Sequence, residues 1–249
     1  MLKIGITGGM GCGKSTVVET FRTLGVSSFV ADKVAAEYYR DAGFLKQLRS
    51  LFDDAVFLPD GSADKRRIAS IVFSDPAMLA RLNALVHPRV MLDFDAFCAQ
   101  HAGDDYVLFE SAILYDYGFD RMMDAVVCVY LDLEQRLQRL TLRDRSDRDT
   151  LMMRIRSQMP AEEMMRRADY VILNYEGNPR LHQVAYFDSL IRIRNSTPCP
   201  TDEHLLYDCC MKNVRTTVVQ QSYNSRVKPE PGPDRMTTGQ IINETPCQS

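Results

Sequence analysis

The residues with the clearest chemistry form a glycine-rich run at positions 8–16, with the sequence GGMGCGKST. The run matches G-x-x-x-x-G-K-[ST] and lies between a short apolar segment and a helical pattern, the context in which this motif binds phosphate. Glycines let the backbone turn its N–H groups around an anion, and the following helix adds free N–H groups and its positive dipole end. We call residues 8–16 the phosphate loop.

The side chains of the phosphate loop have predicted roles of their own. Lys14 is expected to reach the β- and γ-phosphates of a nucleotide, and the Ser15 hydroxyl to ligate Mg²⁺. The sequence lacks the N-K-x-D motif that reads guanine, which favours ATP over GTP. The predicted ATP contacts are Gly11, Cys12, Gly13, Lys14, Ser15 and Thr16.

Two carboxylates follow predicted strands and are candidates for the same site. Asp32 comes at the end of a strand predicted at 28–31, and Glu110 at the end of one predicted at 106–109. Ligands of parallel sheets bind at the carboxyl ends of the strands, where the phosphate loop also begins. Asp32 is therefore a candidate proton acceptor for an attacking hydroxyl, or else a helix N-cap. Glu110 is a candidate for orienting Mg²⁺-bound water or a substrate.

Five arginines fall between positions 136 and 148, and two of them, Arg139 and Arg143, share one helical face at i, i+4. Such a face can close over ATP and neutralise charge on the phosphoryl oxygens, as a lid does. The alternative is a solvated helix whose arginines pair with nearby aspartates. We favour the lid for Arg139 and Arg143, and the solvated interpretation for Arg145 and Arg148. The proposed aspartate partners are Asp144, Asp147 and Asp149.

Short β-branched runs alternate with helical patterns along the chain, which indicates how these residues are positioned. Strands are predicted at 2–7, 28–31, 106–109, 125–131 and 170–173, and helices beginning near 15, 33, 76, 133 and 161. This alternation is typical of a parallel sheet covered on both faces. We expect an α/β fold of three layers with a five-stranded parallel sheet.

Composition excludes several classes of protein. With 249 residues, 45% of them hydrophobic, the chain can bury a substantial core. A net charge of -3 argues against general nucleic-acid binding. The longest apolar run, 125–131, is far shorter than the ~20 residues that cross a bilayer. The start lacks the long apolar region of a secretory signal, so we expect a cytoplasmic protein without a membrane partner.

The chain changes character near Asn195. Residues 195–249 contain six of the 11 prolines and four of the seven cysteines, without sustained apolar periodicity. We expect one domain over 1–194 and a flexible or weakly structured tail over 195–249, in which Val214 to Val219 could add an edge strand.

Several further segments, together with the phosphate loop, resemble the dephospho-CoA kinase family in order and spacing over about residues 1–174. They are Ala31-Asp32, Asp60-Gly61 through Val72-Phe73, the LNALVHP run at 82–88, Arg139 with Arg143-Asp144, and the ADYVILN run at 168–174. The LNxLxHP element discriminates best among them.

The resemblance implies a P-loop kinase fold with a helical lid and a substrate-binding helical segment. It implies transfer of phosphate from ATP, with Mg²⁺, to the 3′-hydroxyl of dephospho-CoA, the last step of coenzyme A synthesis. The implied catalytic residues are Asp32, Lys14 and Arg139; Arg143 and Asn174 would join the ATP site; and Asp32, Lys65, His87 and Glu110 would contact the small-molecule acceptor.

The sequence departs from the family pattern at two places, and it leaves other interpretations of some residues open. Lys65 stands near the place where the family commonly has arginine, which keeps the charge without the bidentate geometry. The stretch 109–114, FESAIL, differs from the usual proline-leucine-leucine type. His87 could be a helix-end histidine before Pro88, and Asn174 a turn residue. The competing functions are another nucleoside or nucleotide kinase, and a nucleotide-binding regulator without catalysis.

Overall fold

The computed structural model describes residues 1–175, 177 and 180–196. Its strands are β1 (Leu2–Thr7), β2 (Ser27–Val30), β3 (Tyr106–Glu110), β4 (Ala125–Tyr130) and β5 (Tyr170–Leu173). They form one sheet in the order β2-β3-β1-β4-β5, and every neighbouring pair is parallel. The five-stranded parallel sheet predicted from the sequence is confirmed.

Helices cover both faces of this sheet. They are α1 (Lys14–Thr23), α2 (Ala31–Tyr38), α3 (Ala42–Phe52), α4 (Lys65–Ser74), α5 (Pro76–Gln100), α6 (Leu133–Asp144), α7 (Arg148–Arg156), α8 (Ala161–Arg167) and α9 (Arg180–Ser196). Alternate residues of β3 enter two separate cores: Phe109 joins Phe29 and Phe94, whereas Leu108 joins Phe21 and Phe187. Because successive strand residues point to opposite faces, the two cores make a three-layer α/β domain.

Helices α3, α4, α7 and α9 were not predicted. The first three begin at aspartates, Asp41, Asp64 and Asp147, whose side chains accept hydrogen bonds from free backbone N–H groups of the first turn. Aspartate at such a position is a standard N-cap signal. Their starts were therefore readable from the sequence, although their short apolar patterns were not.

Helix α5 corrects one interpretation of His87. It does not stop before Pro88 but runs from Pro76 to Gln100, a length of 25 residues. Proline inside a helix removes one N–H donor and crowds the preceding turn. Here Leu82 before the proline and Phe94 after it are both buried in the same core, and this burial holds the two halves in one helix. His87 is thus an interior helical residue, and the helix-end interpretation is wrong.

The predicted tail, beyond Ser196, and the possible strand at Val214 to Val219 lie outside the described residues. Among the residues that are described, no helix has the length and apolarity needed to cross a membrane.

A side chain from α9 forms hydrogen bonds with the outer backbone groups of β5, a strand at the edge of the sheet. Gln183 accepts a hydrogen bond from Leu173 N at 2.9 Å and donates one to Leu173 O at 3.0 Å. The side-chain amide thus takes the place of a neighbouring strand, since an edge otherwise presents unpaired backbone groups.

Replacing Gln183 by alanine should lower the free energy of unfolding by about 1–3 kcal/mol, because its two hydrogen bonds to the backbone of Leu173 are lost. Urea denaturation of the full chain measures this change. The matched control is Gln47→Ala, also inside a helix but exposed, which should stay within about 0.5 kcal/mol of the parent. Equal effects of the two substitutions would contradict the role given to Gln183.

Candidate active site

The phosphate loop joins β1 to α1 and directs several backbone N–H groups to one side. Gly11 and Gly13 have φ values of 81° and 90°, a region that favours glycine. The N–H groups of Gly11, Gly13, Lys14 and Ser15 have no hydrogen-bond partner among the described residues. Lys14 Nζ donates to Gly8 O at 2.8 Å and so lies over the same space. Free N–H groups that face one side beside a lysine are an arrangement that suits an anion such as phosphate.

Carbonyl groups of the phosphate loop are bonded by side chains from outside it. Met10 O accepts from Arg136 Nε at 2.8 Å, and Cys12 O accepts from Asn174 Nδ2 at 2.7 Å. Met10 N donates to Gln158 Oε1 at 3.0 Å. The loop conformation is therefore fixed by three side chains that lie more than 120 residues away in the sequence.

Asn174, which donates to Cys12 O, is only 4% exposed and has further hydrogen-bond partners. Its Oδ1 accepts from Arg180 Nη1 at 3.2 Å, and its backbone O accepts from Arg139 Nη2 at 3.1 Å. A Cβ atom at Gly13 would overlap the Asn174 amide, so glycine is required at that contact. The side chain of Asn174 faces the phosphate loop, whereas the sequence suggested an adenine-reading or turn residue.

Helices α6 and α7 pack together through Leu137, Leu140 and Leu151 and carry the arginine cluster. Arg139 lies beside Gly13 as well as Asn174. Arg143 is 64% exposed and pairs with Asp144 through contacts of 2.6 and 3.0 Å. Of the two arginines predicted for the lid, Arg139 touches the loop region directly.

Of the two arginines expected to be solvated, Arg148 has a different partner from those predicted. Arg148 pairs with Glu134 through two hydrogen bonds of 2.9 and 2.8 Å, and not with Asp144, Asp147 or Asp149. Asp147 is instead the N-cap of α7, with Thr150 N as donor, and Asp144 is held by Arg143. Arg148 is thus paired at the surface, as the solvated interpretation required, but with a glutamate on α6. Arg145 is exposed and forms no ion pair among the described residues.

A cavity of about 330 Å³ opens between α2, α5 and the segment that follows β3. Asp32, Lys65 and His87 all line it, together with Tyr39 and Asn83. The structure therefore brings together three of the four residues assigned to the acceptor, although they are spread over 56 positions of the chain. The fourth, Glu110, immediately precedes Ser111 of the cavity wall.

The cavity has a cationic wall and an aromatic wall. Lys65 Nζ lies 4.7 Å from the centre of the Tyr39 ring and donates to Ala36 O at 3.3 Å. The His87 ring packs edge-on against Tyr117 and Phe119, at centroid distances of 4.2 and 5.2 Å. Burial lowers the pKa of His87, which favours its neutral, hydrogen-bonding form.

Asp32 lines the cavity, and Glu110 pairs in the sheet with Ile6, two residues before the phosphate loop, and with Val30, two residues before Asp32. Burial raises the pKa of Glu110, the positive charge of Lys14 opposes that rise, and the negative charge of Asp32 adds to it. Both charges are thus close enough to act on one carboxyl group. Asp32 is exposed in the first turn of α2, whose N-cap is Val30, and no side chain caps this helix. The capping interpretation of Asp32 is therefore wrong.

Several residues of the site were not identified from the sequence. Asn83 lies four residues before His87, a spacing that places both on one face of α5, and this could have revealed it. Gln158 and the loop contact of Arg136 carry no such local signal, because their positions depend on how α6 and the residues after α7 pack.

Comparison with known proteins agrees with this geometry. The family model described as dephospho-CoA kinase matches residues 2–179. A dephospho-CoA kinase from Bacteroides fragilis is 35% identical over 184 residues, which is 74% of this chain and 89% of the relative. One from Bacillus licheniformis is 34% identical over 190 residues, covering 74% and 94% of the two chains.

Solved structures agree on the fold. The protein TT1252 from Thermus thermophilus superposes with a TM-score of 0.69 at 31% identity, over 79% of this chain and 98% of that one. Dephospho-CoA kinase from Campylobacter jejuni superposes with a TM-score of 0.57 at 23% identity, over 78% and 98%. The extent of the family match and the identity to these relatives show that the chain belongs to the dephospho-CoA kinase family.

Proposed function

We propose that this protein transfers the γ-phosphoryl group of ATP to the 3′-hydroxyl of dephospho-CoA, giving coenzyme A and ADP. The observation that carries the proposal is that the strands leading to the phosphate loop and to Asp32 of the cavity both pair with β3 at Glu110. The charges of Lys14 and Asp32 both influence the pKa of Glu110, so the proposed nucleotide and acceptor sites lie together at the carboxyl ends of the strands. This arrangement supports direct transfer from donor to acceptor.

The nucleotide is assigned to the phosphate loop. The free N–H groups of Gly11, Gly13, Lys14 and Ser15 would bind its phosphate oxygens, with Cys12 and Thr16 as neighbouring loop positions. The Lys14 ammonium would leave Gly8 O for the β- and γ-phosphates.

The lid arginines complete the nucleotide assignment. Arg139 would stabilise charge on the transferred group from beside Gly13, and Arg143 would exchange Asp144 for phosphate. We assign Asn174 to supporting the loop, since its amide already bonds Cys12 O.

Mg²⁺ is part of the proposal. The described residues contain no group of three His, Cys, Asp or Glu side chains that could hold a metal alone. The exposed Ser15 hydroxyl and the carboxylate of Glu110 are oxygen donors that suit a magnesium ion which keeps most of its water and phosphate ligands. When bound, Mg²⁺ neutralises negative charge on the phosphates.

The acceptor is assigned to the cavity, a small-molecule site. Lys65 would pair with the acceptor diphosphate, and neutral His87 would form a hydrogen bond to its ribose or diphosphate. The 3′-oxygen attacks the γ-phosphorus, the bond from that phosphorus to the β–γ bridging oxygen breaks, and Asp32 accepts the hydroxyl proton.

We further place this activity within residues 1–194 and in the cytoplasm. The residues assigned to it all lie before Arg180, and the tail over 195–249 supplies none of them. Removal of the tail is accordingly expected to leave transfer intact.

The function is tested by an ADP-release assay with ATP and a panel of acceptors. Dephospho-CoA should give turnover far above that with nucleosides or nucleoside monophosphates, and the product should carry phosphate on its 3′-oxygen. Turnover with a nucleoside alone would point to another small-molecule kinase. ATP binding without any transfer would indicate a nucleotide-binding regulator.

Asp32→Asn should reduce turnover on dephospho-CoA by ~10²- to 10⁴-fold, because general-base catalysis is lost. A loose phosphoryl-transfer transition state would place the loss near the lower end. ATP affinity should persist, since the phosphate loop is unchanged. The matched control is Asp149→Asn, another exposed aspartate in a first helical turn, which should keep full activity. Full turnover of Asp32→Asn would exclude Asp32 as the base.

Arg139→Ala should depress turnover by ~10-fold or more, because a cation beside the transferred group is lost. The control is Arg148→Ala, which removes the same type of side chain from the surface, where it pairs with Glu134. The turnover of this variant should differ less than twofold from that of the parent. Steady-state kinetics of both variants at saturating substrates decide the matter. Equally small effects would assign both arginines to the solvated surface.

A further inference from the structure

Arg136 is a buried cation that the proposed reaction does not use. It lies on α6, is 4% exposed, and belongs to the few buried charged residues in the described part of the chain. Burial lowers its pKa, but an arginine remains protonated in proteins. Burying such a group without a compensating contact is costly, so the position of its guanidinium calls for an explanation.

The guanidinium fixes the direction of one peptide plane in the phosphate loop. Arg136 Nε donates to Met10 O at 2.8 Å. In a planar trans peptide the C=O of Met10 and the N–H of Gly11 point in opposite directions. Holding the Met10 carbonyl toward α6 therefore directs the Gly11 N–H away from α6, where it has no partner among the described residues.

The same guanidinium occupies the space beside Gly9. Its Nη2, Cζ and Nη1 atoms lie 2.5, 2.6 and 2.8 Å from the place where a Cβ atom of residue 9 would be. Position 9 is a variable position of the motif, so phosphate binding alone does not demand glycine there. In this chain the arginine demands it, because any larger residue would displace the guanidinium.

Gln158 restrains the other side of the Met10 residue. Its Oε1 accepts from Met10 N at 3.0 Å, so both backbone groups of Met10 are bonded to side chains outside the loop. A flexible glycine-rich loop loses conformational entropy when it closes on phosphate. Contacts that are already made before the ligand arrives reduce that loss.

We propose that Arg136 is a positioning residue of the nucleotide site, which holds the Met10 peptide so that the Gly11 N–H faces the ATP phosphates. The inference rests on the proposed function only in assigning the phosphate loop to ATP. Arg136 does not touch the nucleotide or the acceptor; it acts through the loop backbone. Its loss should therefore weaken phosphate binding selectively.

The direct test is the affinity of the full chain for ATP and ADP by calorimetry, which needs no acceptor. Arg136→Met removes the donor and the charge while keeping the length of the side chain. The dissociation constants of both nucleotides should rise by ~10- to 100-fold, the effect of losing a hydrogen bond to a charged group. Arg136→Lys keeps the positive charge but lacks the planar guanidinium. Its dissociation constants should lie between those of the parent and of Arg136→Met.

The readouts separate positioning from a general structural role. Dephospho-CoA affinity should stay within about twofold, because its assigned cavity lies between α2 and α5. Arg148→Met is the matched control on an exposed, Glu134-paired arginine and should leave both affinities unchanged. Equal weakening of ATP and dephospho-CoA, or a lower melting temperature with unchanged ATP affinity, would overturn the proposal.

A second perturbation starts from the loop and keeps the test decisive if Arg136→Met does not fold. Gly9→Ala places a methyl group on the guanidinium and should weaken ATP binding by a similar factor. In the Arg136→Lys background, Gly9→Ala should weaken ATP binding by a factor at least three times smaller, because the planar guanidinium that the new methyl group would meet is absent. Additive effects would show that Gly9 and Arg136 act independently and would contradict the proposal. In the parent chain, nucleotide binding without any transfer to dephospho-CoA would count against the proposed function alone, because the phosphate loop would still bind ATP.

Discussion

The site depends on one constraint of backbone geometry. A loop that binds phosphate with its N–H groups must leave them unpaired on one side, so the carbonyls of the same peptides need partners on the other. In this chain Met10 O is bonded by Arg136 and Cys12 O by Asn174. Those two residues come from α6 and from the end of β5. The nucleotide site is therefore as much a product of its surroundings as of its own glycines.

The parallel sheet supplies the second half of the arrangement. The carboxyl ends of β1, β2 and β3 lie on one side of the domain; β1 leads into the phosphate loop, β2 leads to Asp32, and β3 ends at Glu110. Helix α5, continuous through Pro88 and buried in the core on both sides of it, contributes His87 to the Asp32 cavity. Opposite charges gather there without a salt bridge between Lys14 and either carboxylate. Such unpaired charges at one edge suit a site whose missing partners are phosphates.

The features that could be predicted from the sequence are those that depend on residues close together in the chain. The phosphate loop and the five strands depend on neighbouring residues, and they were found. The grouping of Asp32, Lys65 and His87 came from family resemblance, and the cavity now gives it a physical basis. The loop contacts of Arg136 and Gln158 had no local signal, because each side chain acts across more than 120 residues.

The central claim is that the phosphate loop and the Asp32 cavity hold donor and acceptor side by side. A crystal structure of the protein with dephospho-CoA and a non-hydrolysable ATP analogue measures this directly. The account predicts phosphate oxygens on the N–H groups of Gly11 and Gly13, and the acceptor 3′-oxygen within roughly 2.6–3.2 Å of an Asp32 carboxylate oxygen. A 3′-oxygen bound away from Asp32, or phosphates bound away from the loop, would contradict it.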